Sequence, residues 1–451
     1  MMLRNITLSV LLILLGCNSY GQGTMTTRVV KNNLFIPWEM IYGPDGRIWF
    51  TQKNGYICRL TPATGAMDTV YHETATVIRG EGGLTGMALH PDFPTQPYVY
   101  AVHNYLNGTA YRIRVMRYTY NGSNALGSPT VLLDGISGSQ NHNGSRLLIV
   151  GDKLFITTGD AENLANPQNT ASINGKVLRV NLDGSIPADN PIGGSPVWSW
   201  GHRNPQGLVA ANGFLYSSEH GPNNDDELNI IRKGRNYGWP TVAGFCDQPS
   251  ETAFCTDSNV AQPLIAWTPT LAVTGIDYYT QPMFPTLQGK LLMTTLKDQH
   301  LYQLTMNAGK DSVSNAAIIT AVSYGRLRDI CISPSGRIYI STSNSNAAGT
   351  GAFTDQIIEL YDPAATGIGS IALGEAVIYP NPVGNQLNFS LPNGATGTYQ
   401  ITDMAGRRLR TGSISGKLNT VYTGNLAAGS YLLIIAPANK AISTHPFIKS
   451  N

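Results

Sequence analysis

The chain has little charge, and several familiar motifs are missing from it. Of its 451 residues 13% are charged, which is about half the usual share, and the formal net charge is +2. With so small a net charge, no overall field favours nucleic acid or an anionic membrane surface as a partner. A G-x-G-x-x-G turn after a strand, a Walker lysine motif and a nucleophile elbow are also missing. These absences argue against nicotinamide, nucleotide and acyl-transfer chemistry.

Cysteine is scarce, and its spacing fits no zinc site. Five cysteines are present, of which Cys17 lies near the N terminus. The spacing of the other four matches no zinc-binding template. Cys246 and Cys255 lie in a loop rich in Gly, Pro and Asp, so they are candidates for a disulfide in an exported protein. Cys58 and Cys331 lie in apolar strand contexts and are expected to be buried thiols.

The long apolar run that stands out is at the N terminus. Arg4 precedes the apolar segment 6–15, which is too short to span a membrane as a helix of the mature protein. Residues 1–22 are therefore predicted to be a signal peptide. Cys17 lies in a segment that resembles a lipoprotein cleavage box, although the small residue favoured two positions before the cysteine is missing. Simple cleavage near Gln22 is favoured over lipidation.

Glycine and proline are abundant, with 48 and 26 residues, which indicates many turns between short strands. One pattern occurs six times, from residues 38–60 to residues 327–344: an apolar strand, a turn, a second apolar strand and a third strand of alternating residues. Each such sheet is too small to bury its own apolar face. Repeats of this kind predict blades stacked around a central channel. We therefore expect residues 28–362 to form an all-β domain, a six-bladed β-propeller.

The composition changes after residue 362. Residues 363–375 form a linker of small residues, and residues 376–451 contain short alternating strands, enough for a small β-sandwich. Within it, the runs YPNP, DMAGR, LAAGSYLL and FIK resemble the C-terminal sorting domain of type IX secretion cargo in Bacteroidetes. The resemblance implies that the type IX secretion machinery carries the protein across the outer membrane, so that it is secreted or held at the cell surface.

The segment 218–247, SEHGPNNDDELNIIRKGRNYGWPTVAGFCD, concentrates oxygen ligands. Asp225, Asp226, Glu227 and Asp247 offer carboxylates, and the glycine turns expose backbone carbonyls. Calcium binds six to eight such oxygens in flexible geometry. Composition alone leaves two interpretations open, a calcium site and an acidic, solvated turn.

One histidine and four basic residues are further candidates. His142 lies in a polar, glycine-containing loop before a predicted strand, where a general base could act, although a single histidine is more often structural. The basic residues are Arg203, Lys297, Arg326 and Arg328. On a strand, Arg326 and Arg328 would share one face about 6–7 Å apart. Each cation alone could form a surface salt bridge, but together, in a chain so poor in charge, they indicate a pocket for a multiply anionic ligand.

Four segments carry a more specific resemblance. NHNGSRL at 141–147, GKVLRVNLDGSIPADNP at 175–191, GHRNPQG at 201–207 and the segment 218–247 resemble the soluble quinoprotein glucose dehydrogenases and related aldose dehydrogenases. These are six-bladed propellers that use pyrroloquinoline quinone (PQQ) and Ca²⁺. The resemblance implies an exported enzyme that oxidises an aldose at its C1 hydroxyl to a lactone and passes electrons to an external acceptor. A calcium-dependent lactonase and a non-catalytic carbohydrate-binding propeller are the alternatives.

The resemblance also implies roles for individual residues. His142 is expected to be the general base, and Arg203 the cation at the quinone oxygens. The residues expected to hold the cofactor are Asn204, Thr270, Lys297, Arg326 and Arg328. The carbonyls expected to bind a calcium ion beside the cofactor are those of Gly221 and Pro222. The expected ligands of a second, structural calcium ion are the carboxylates of Glu227 and Asp247 and the carbonyls of Tyr237 and Ala243.

Three residues depart from the family pattern. Asn141 stands where glucose-active members have an Asp, so His142 is expected to lack a carboxylate partner. Glu81 stands where a substrate-contacting Gln is expected, and Val273 replaces a Pro. Glu81 and Asn141 are therefore expected to face the substrate and to alter the range of sugars accepted. The shortened insertion between residues 247 and 268 fits the broader aldose dehydrogenases better than strict glucose enzymes.

Overall fold

The computed structural model describes residues 24–93, 95–348, 350–364, 377–381, 383–403, 407–437 and 443–449. In these residues the chain is almost entirely β-structure, which confirms the predicted all-β class. The exceptions are one short α-helix, α1 (Thr252–Asp257), and one 3-10 turn (Pro285–Leu287). The predicted signal peptide with Cys17 lies outside the described residues, as does most of the predicted linker.

Six four-stranded antiparallel sheets make up the larger part of the described chain. Sheet 1 contains β2 (Pro37–Tyr42), β3 (Ile48–Gln52), β4 (Tyr56–Leu60) and β5 (Met67–His72). Sheet 2 contains β6 (Leu84–Leu89), β7 (Tyr98–Asn107), β8 (Ala110–Tyr120) and β9 (Leu126–Ser137). Sheet 3 contains β10 (Leu147–Val150), β11 (Lys153–Thr158), β12 (Lys176–Asn181) and β13 (Val197–Trp200).

The other three sheets continue the same up-and-down order. Sheet 4 contains β14 (Pro205–Ala211), β15 (Phe214–Glu219), β16 (Asp226–Ile230) and β17 (Ile265–Trp267). Sheet 5 contains β18 (Val273–Tyr279), β19 (Lys290–Thr295), β20 (Leu301–Met306) and β21 (Val313–Ile318). Sheet 6 contains β22 (Leu327–Ile332), β23 (Ile338–Thr342) and β24 (Asp355–Tyr361), and its fourth strand is β1 (Thr26–Leu34).

The six sheets form a closed ring. The first strand of each sheet contacts the first strand of the next, in the order β2, β6, β10, β14, β18, β22 and back to β2. The N-terminal strand β1 pairs with β24, with Thr27 opposite Leu360 and Val29 opposite Ile358. Residues from the two ends of this region thus complete one sheet. The repeat pattern predicted this stacking of small sheets.

Apolar residues fill the spaces between neighbouring sheets, whereas the centre of the ring is polar. One cluster joins sheets 2 and 3, where Val102 and Val115 pack with Leu154 and Leu178. Burying each such side chain contributes roughly 1.5–3 kcal/mol. On or next to the first strands the buried residues are often polar or charged: Arg146, directly before β10 of sheet 3, donates to a carboxylate oxygen of Asp329 in sheet 6. The apolar faces therefore stabilise the ring, and the centre is left for polar groups.

The C-terminal region has a sheet and a core of its own. Its strands are β25 (Val377–Tyr379), β26 (Gln386–Asp403), β27 (Arg408–Tyr422), β28 (Gly429–Pro437) and β29 (Ser443–Lys449). They form one five-stranded sheet in which β26 pairs with β27 on one edge and with β25 and β28 on the other. Four of the predicted short strands merge into the two long strands β26 and β27, which pair on both sides of a register shift between Ser390 and Ala395. The predicted two-sheet sandwich stays a prediction.

The cysteines lie where their sequence contexts indicate. Cys246 and Cys255 form a disulfide with a Cα–Cα distance of 6.4 Å. Cys58 and Cys331 are free and buried. In the part of the chain that the structure describes, none of the helices has the length and apolar character needed to cross a membrane.

Candidate active site

A cleft of about 230 Å³ is formed by segments that precede the first strands of sheets 2 to 5 and by the turn after β15. Because the first strands contact one another around the ring, these segments meet although they are far apart in sequence. The lining residues are Glu81, Asn141, His142, Arg203, His220, Gly221, Pro222, Asp226, Thr270 and Ala272. Seven of them are residues predicted from the sequence.

His142 has a buried carboxylate partner. Its Nδ1 lies 2.8 Å from Oδ1 of Asp160, whose side chain is fully buried, and the other Asp160 oxygen accepts a hydrogen bond from Nε1 of Trp239 at 2.8 Å. The expectation that His142 lacks a carboxylate was therefore wrong. The carboxylate comes from the end of β11 instead of from the neighbouring position 141. With Nδ1 occupied, Nε2 is the ring nitrogen left for a substrate.

The backbone of the His142 loop is held by side chains from other sheets. His142 has a φ of 56°, a conformation that costs energy in a residue other than glycine. Its backbone N–H donates to Oε2 of Glu81 at 2.9 Å, and Nδ2 of Asn204 donates to the same oxygen at 3.1 Å. The side-chain oxygen of Asn204, Oδ1, accepts a hydrogen bond from the backbone N–H of Gly144 at 3.0 Å. Glu81 and Asn204 thus fix the loop that carries the histidine.

Two arginines present unpaired donors. Arg203 donates from Nη1 to the carbonyl of His220 at 3.2 Å, and its guanidinium lies over the Trp239 ring. Arg328 is buried and donates from Nη1 to Oε1 of Gln206 at 2.9 Å. Burial lowers the pKa of both arginines, that of Arg328 to about 10. The Nε atoms of both are buried without a hydrogen-bond partner in the described part of the chain, as expected of donors meant for an anionic ligand.

The other predicted cofactor residues lie in less buried positions. Arg326 is exposed and precedes β22, and the pairing of β22 with β23 shifts register at Arg328. The prediction that the two arginines share one regular strand face was therefore wrong. A register shift of this kind changes the direction of the side chains. The Lys297 ammonium group donates to Oγ1 of Thr270 at 3.0 Å. This bond links Lys297 to the wall of the cleft.

A small cavity of about 10 Å³ adjoins the cleft, and its lining combines three carboxylates with Arg203. Gly221 and Pro222 line both spaces, and Glu227, Tyr237 and Ala243 also line the cavity. The free space is close to that needed for one water-sized sphere. Burial, and then the charge of Glu219, raise the pKa of Glu227 to about 8. A divalent cation would relieve this repulsion.

Asp247 does not belong to this cavity. The residue is exposed, and its Oδ1 accepts a hydrogen bond from the side-chain Nε2 of Gln248 at 2.8 Å. Asp225 and Glu219 line the cavity together with Glu227. Among the residues with described positions, no group of three His, Cys, Asp or Glu side chains is close enough to hold a metal. Backbone carbonyls would therefore have to supply much of the coordination.

The structure gives roles to two further carboxylates: Asp160, which the sequence interpretation did not name, and Asp226, which it named only as a possible oxygen ligand of calcium. Asp160 holds His142, and Asp226 accepts backbone N–H groups from Gly221 at 2.9 Å and from Val273 at 3.3 Å. Asp226 thus ties the Gly221 turn to the segment that enters β18. One sequence signal for Asp160 was available, since it lies two residues after the end of strand β11, in the run TTGD. Its partner could not be read from that run.

Two family profiles match the chain. The profile of the glucose/sorbosone dehydrogenases matches residues 34–351, and that of the secretion system C-terminal sorting domain matches residues 377–449. Quinoprotein glucose dehydrogenase B of Acinetobacter calcoaceticus is 40% identical over 254 residues, which are 49% of this chain and 53% of that protein. The chain thus spans about half the length of this relative.

Two solved structures resemble the larger region. One is an oxidoreductase of Thermus thermophilus described as a glucose dehydrogenase, with 32% identity and a TM-score of 0.65 over 75% of this chain and 100% of that one. The other is the PQQ-bound aldose sugar dehydrogenase of Streptomyces coelicolor, with 29% identity and a TM-score of 0.64 over 75% of this chain and 98% of that one.

Proposed function

The chain belongs to the glucose/sorbosone dehydrogenase family, and from this membership we propose that it is an exported, PQQ-dependent aldose dehydrogenase. Its six sheets would be the blades of a propeller formed by residues 28–362. It would oxidise the C1 hydroxyl of an aldose to a lactone and pass the electrons to an external acceptor. The observation that carries the proposal is the pair formed by His142 and the buried Asp160, in a cleft that Arg203 also lines.

His142 would act as the general base. Its Nδ1 is bonded to Asp160, so Nε2 would take the proton of the C1 hydroxyl. The buried carboxylate then stabilises the imidazolium that forms and keeps the ring in position. Arg203, whose guanidinium lies over the Trp239 ring, would place a fixed positive charge beside the quinone oxygens, where negative charge develops during reduction.

The cationic side of the cleft fits an anionic cofactor. Arg203, Arg326, Arg328 and Lys297, with Asn204 and Thr270, would hold PQQ. The unpaired Nε atoms of Arg203 and Arg328 support this assignment. PQQ bound there would supply the oxidant that accepts the C1 hydrogen together with its electron pair.

Calcium would bind at the turn that lines both the cleft and the small cavity. The carbonyls of Gly221 and Pro222 would face an ion beside the cofactor. Glu227, with the carbonyls of Tyr237 and Ala243, would hold a structural ion, and the raised pKa of Glu227 supports this. Asp247, expected in the same ligand set, is exposed in the structure and is left out of the proposal.

The C-terminal region would direct export. Its match to the sorting-domain profile indicates secretion to the cell surface or the medium. We propose that residues 376–451 address the protein to the type IX secretion machinery and that residues 1–22 begin the export. The cell surface would also be where the external electron acceptor meets the reduced enzyme.

The test is reconstitution with cofactor and metal. Purified protein is mixed with PQQ and Ca²⁺, and dye reduction is followed across a panel of aldoses. Turnover of at least one aldose is expected, and failure to bind PQQ at micromolar concentration would contradict the proposal. His142→Ala should still bind PQQ, measured by absorbance titration, but lose most of its turnover. Equal turnover in this variant would remove His142 as the base.

A further inference from the structure

Glu81, which accepts the backbone N–H of His142, has one carboxylate oxygen without a hydrogen bond among the described residues. Glu81 lines the cleft together with Asn141 and His142. Both of its side-chain hydrogen bonds, from the His142 backbone and from Asn204, go to Oε2. Oε1 accepts none from the residues that the structure describes. Oε1 is therefore available to a donor on the ligand.

A second carboxylate lies on the other side of the same loop. Nδ2 of Asn141 donates to Oε1 of Glu162 at 2.9 Å, and the backbone N–H of Asn141 donates to Oε2 of Glu162 at 3.3 Å. Glu162 is exposed, so its charge is more strongly screened than that of Glu81. Asn141 and His142 are thus each bonded through the backbone to a different carboxylate. The third nearby carboxylate, Asp160, is buried and engaged with His142 and Trp239.

Of the cations close to Glu81, Arg203 lines the cleft with it, and the others are engaged elsewhere. Arg326 and Arg328 interact electrostatically with Glu81, but they are the residues proposed to hold the cofactor carboxylates. Lys53 donates to the carbonyls of Gly80 and Ala347, and burial lowers its pKa to about 8. Arg203 is the one cation that lines the cleft itself, among the described residues. With an anionic cofactor held by these cations, the free oxygen of Glu81 would be left for the sugar.

We propose that the cleft selects an aldose that carries a protonated amine, an amino sugar, and that Glu81 determines this specificity. The proposal rests on the proposed function and names its substrate class. An ammonium group can donate a charge-assisted hydrogen bond to Oε1, which a neutral hydroxyl matches less well. A sugar with a carboxylate or phosphate at the same place would be repelled. The oxidation at C1 is unchanged, and the amine takes no part in it.

The test compares glucose with sugars that carry an amine, an acetylated amine or a carboxylate. Initial rates with PQQ and Ca²⁺ are measured for glucosamine, N-acetylglucosamine, glucose and glucuronate at about pH 6, below the range in which α-amino groups titrate. Binding is measured separately with 1,5-anhydroglucitol and its 2-amino derivative, which lack the reacting hydroxyl. The variants are Glu81→Gln, which keeps the acceptor for His142, and Asp152→Asn. Asp152 is a matched control because its side chain is 85% exposed and pairs with Lys153.

We expect the wild-type protein to favour glucosamine over glucose in kcat/KM, and the amino inhibitor over the neutral one. Glu81→Gln should reduce both preferences roughly fivefold, the size of one partly screened charge pair, whereas Asp152→Asn should leave them unchanged. Preference for glucose or glucuronate, or an unaltered ratio in Glu81→Gln, would overturn the inference while leaving the proposed function intact. Failure to oxidise any aldose would instead contradict the proposed function.

Discussion

His142 depends on a residue that its own sequence neighbourhood does not show. The ring nitrogen Nδ1 is bonded to Asp160, which lies 18 residues further along the chain and is fully buried. A buried carboxylate of this kind favours the imidazolium and fixes the tautomer. Glu227 illustrates the opposite situation, because burial and the nearby charge of Glu219 raise the pKa of its carboxylate. Each residue therefore leads to its own prediction.

Asp160→Asn should keep PQQ binding and lower kcat. The amide keeps the size of the side chain but cannot stabilise the imidazolium, so we expect a decrease of roughly 100-fold or more. Dye-reduction kinetics and a PQQ titration measure the two effects, with the exposed Asp152→Asn as the control. A kcat within about twofold of the wild type would show that Asp160 does not act through His142.

Glu227 should make the calcium-free protein sensitive to pH. Its pKa is raised from 4.5 to about 8 in the folded protein, so folding favours the protonated form. Stability is then greatest below about pH 4.5 and is lost as the pH rises towards about 8, with a total effect on the order of a few kcal/mol. We expect the Tm in a calcium chelator to fall across this window and Ca²⁺ to restore it.

A variant separates Glu227 from other buried acids. Burial also raises the pKa of Glu39 to about 8 and that of Asp277 to about 7, so they contribute to the same window. Glu227→Gln should remove its own share of the pH dependence and most of the stabilisation by Ca²⁺. If the chelated wild type and Glu227→Gln show identical pH profiles, Glu227 is not the metal-linked carboxylate.

At the scale of elements, the strand β1 completes a sheet to which it is not adjacent in sequence. It pairs with β24 along the edge of sheet 6, opposite residues more than 300 positions away. The repeat pattern identifies β22, β23 and β24 locally, because they follow one another. An unpaired β24 would expose backbone donors and acceptors that can pair with another chain.

Deletion of residues 24–34 should destabilise the ring of sheets. The edge of β24 and the apolar residues beneath β1 would be exposed, so we expect a marked decrease in Tm together with self-association. Thermal unfolding and light scattering measure these effects. Val29→Thr is the control, since Val29 is 42% exposed and surface changes usually alter stability by less than about 0.5 kcal/mol. An unchanged Tm in the deletion variant would show that β1 does not close the ring.

At the scale of the whole molecule, the described residues build two separate cores. The buried clusters of the ring contain residues between Leu34 and Leu360, with Met25 and Val30 packed at the margin, whereas the C-terminal cluster contains residues from Val383 to Phe447. A region with its own core can fold by itself. The chemistry and the export signal at the C terminus would therefore be separable.

Truncation after residue 364 should leave the activity in place and abolish export. The truncated protein should unfold at nearly the same temperature as the full chain and reduce dye with PQQ and Ca²⁺ at a similar rate. Its amount outside cells that possess a type IX system should fall below detection. Loss of PQQ binding on truncation would show that the two regions are not independent.

Much of the fold and many of the site residues could be predicted from the sequence, and the predictions that were wrong have physical causes. Turn composition and apolar periodicity indicated all-β structure and six small sheets, because both depend on residues close together in the chain. The pattern showed three strands in each sheet and missed the fourth, since the outer strands are partly exposed and lose their alternation, as in β5 and β21. A strand face was assumed for Arg326 and Arg328, whereas the register shifts at Arg328.

What the sequence by itself determined is the kind of chemistry: a candidate base, a set of cations and an acidic, turn-rich segment. What only the tertiary structure decided is which of these groups meet. Closure of the ring brings together Glu81, Asn204 and His142, which precede the first strands of three different sheets, and adds Asp160 from the segment after β11. The same folding leaves Asp247 exposed. Hydrogen bonds and desolvation act over a few ångströms in space, and distance along the chain says little about them.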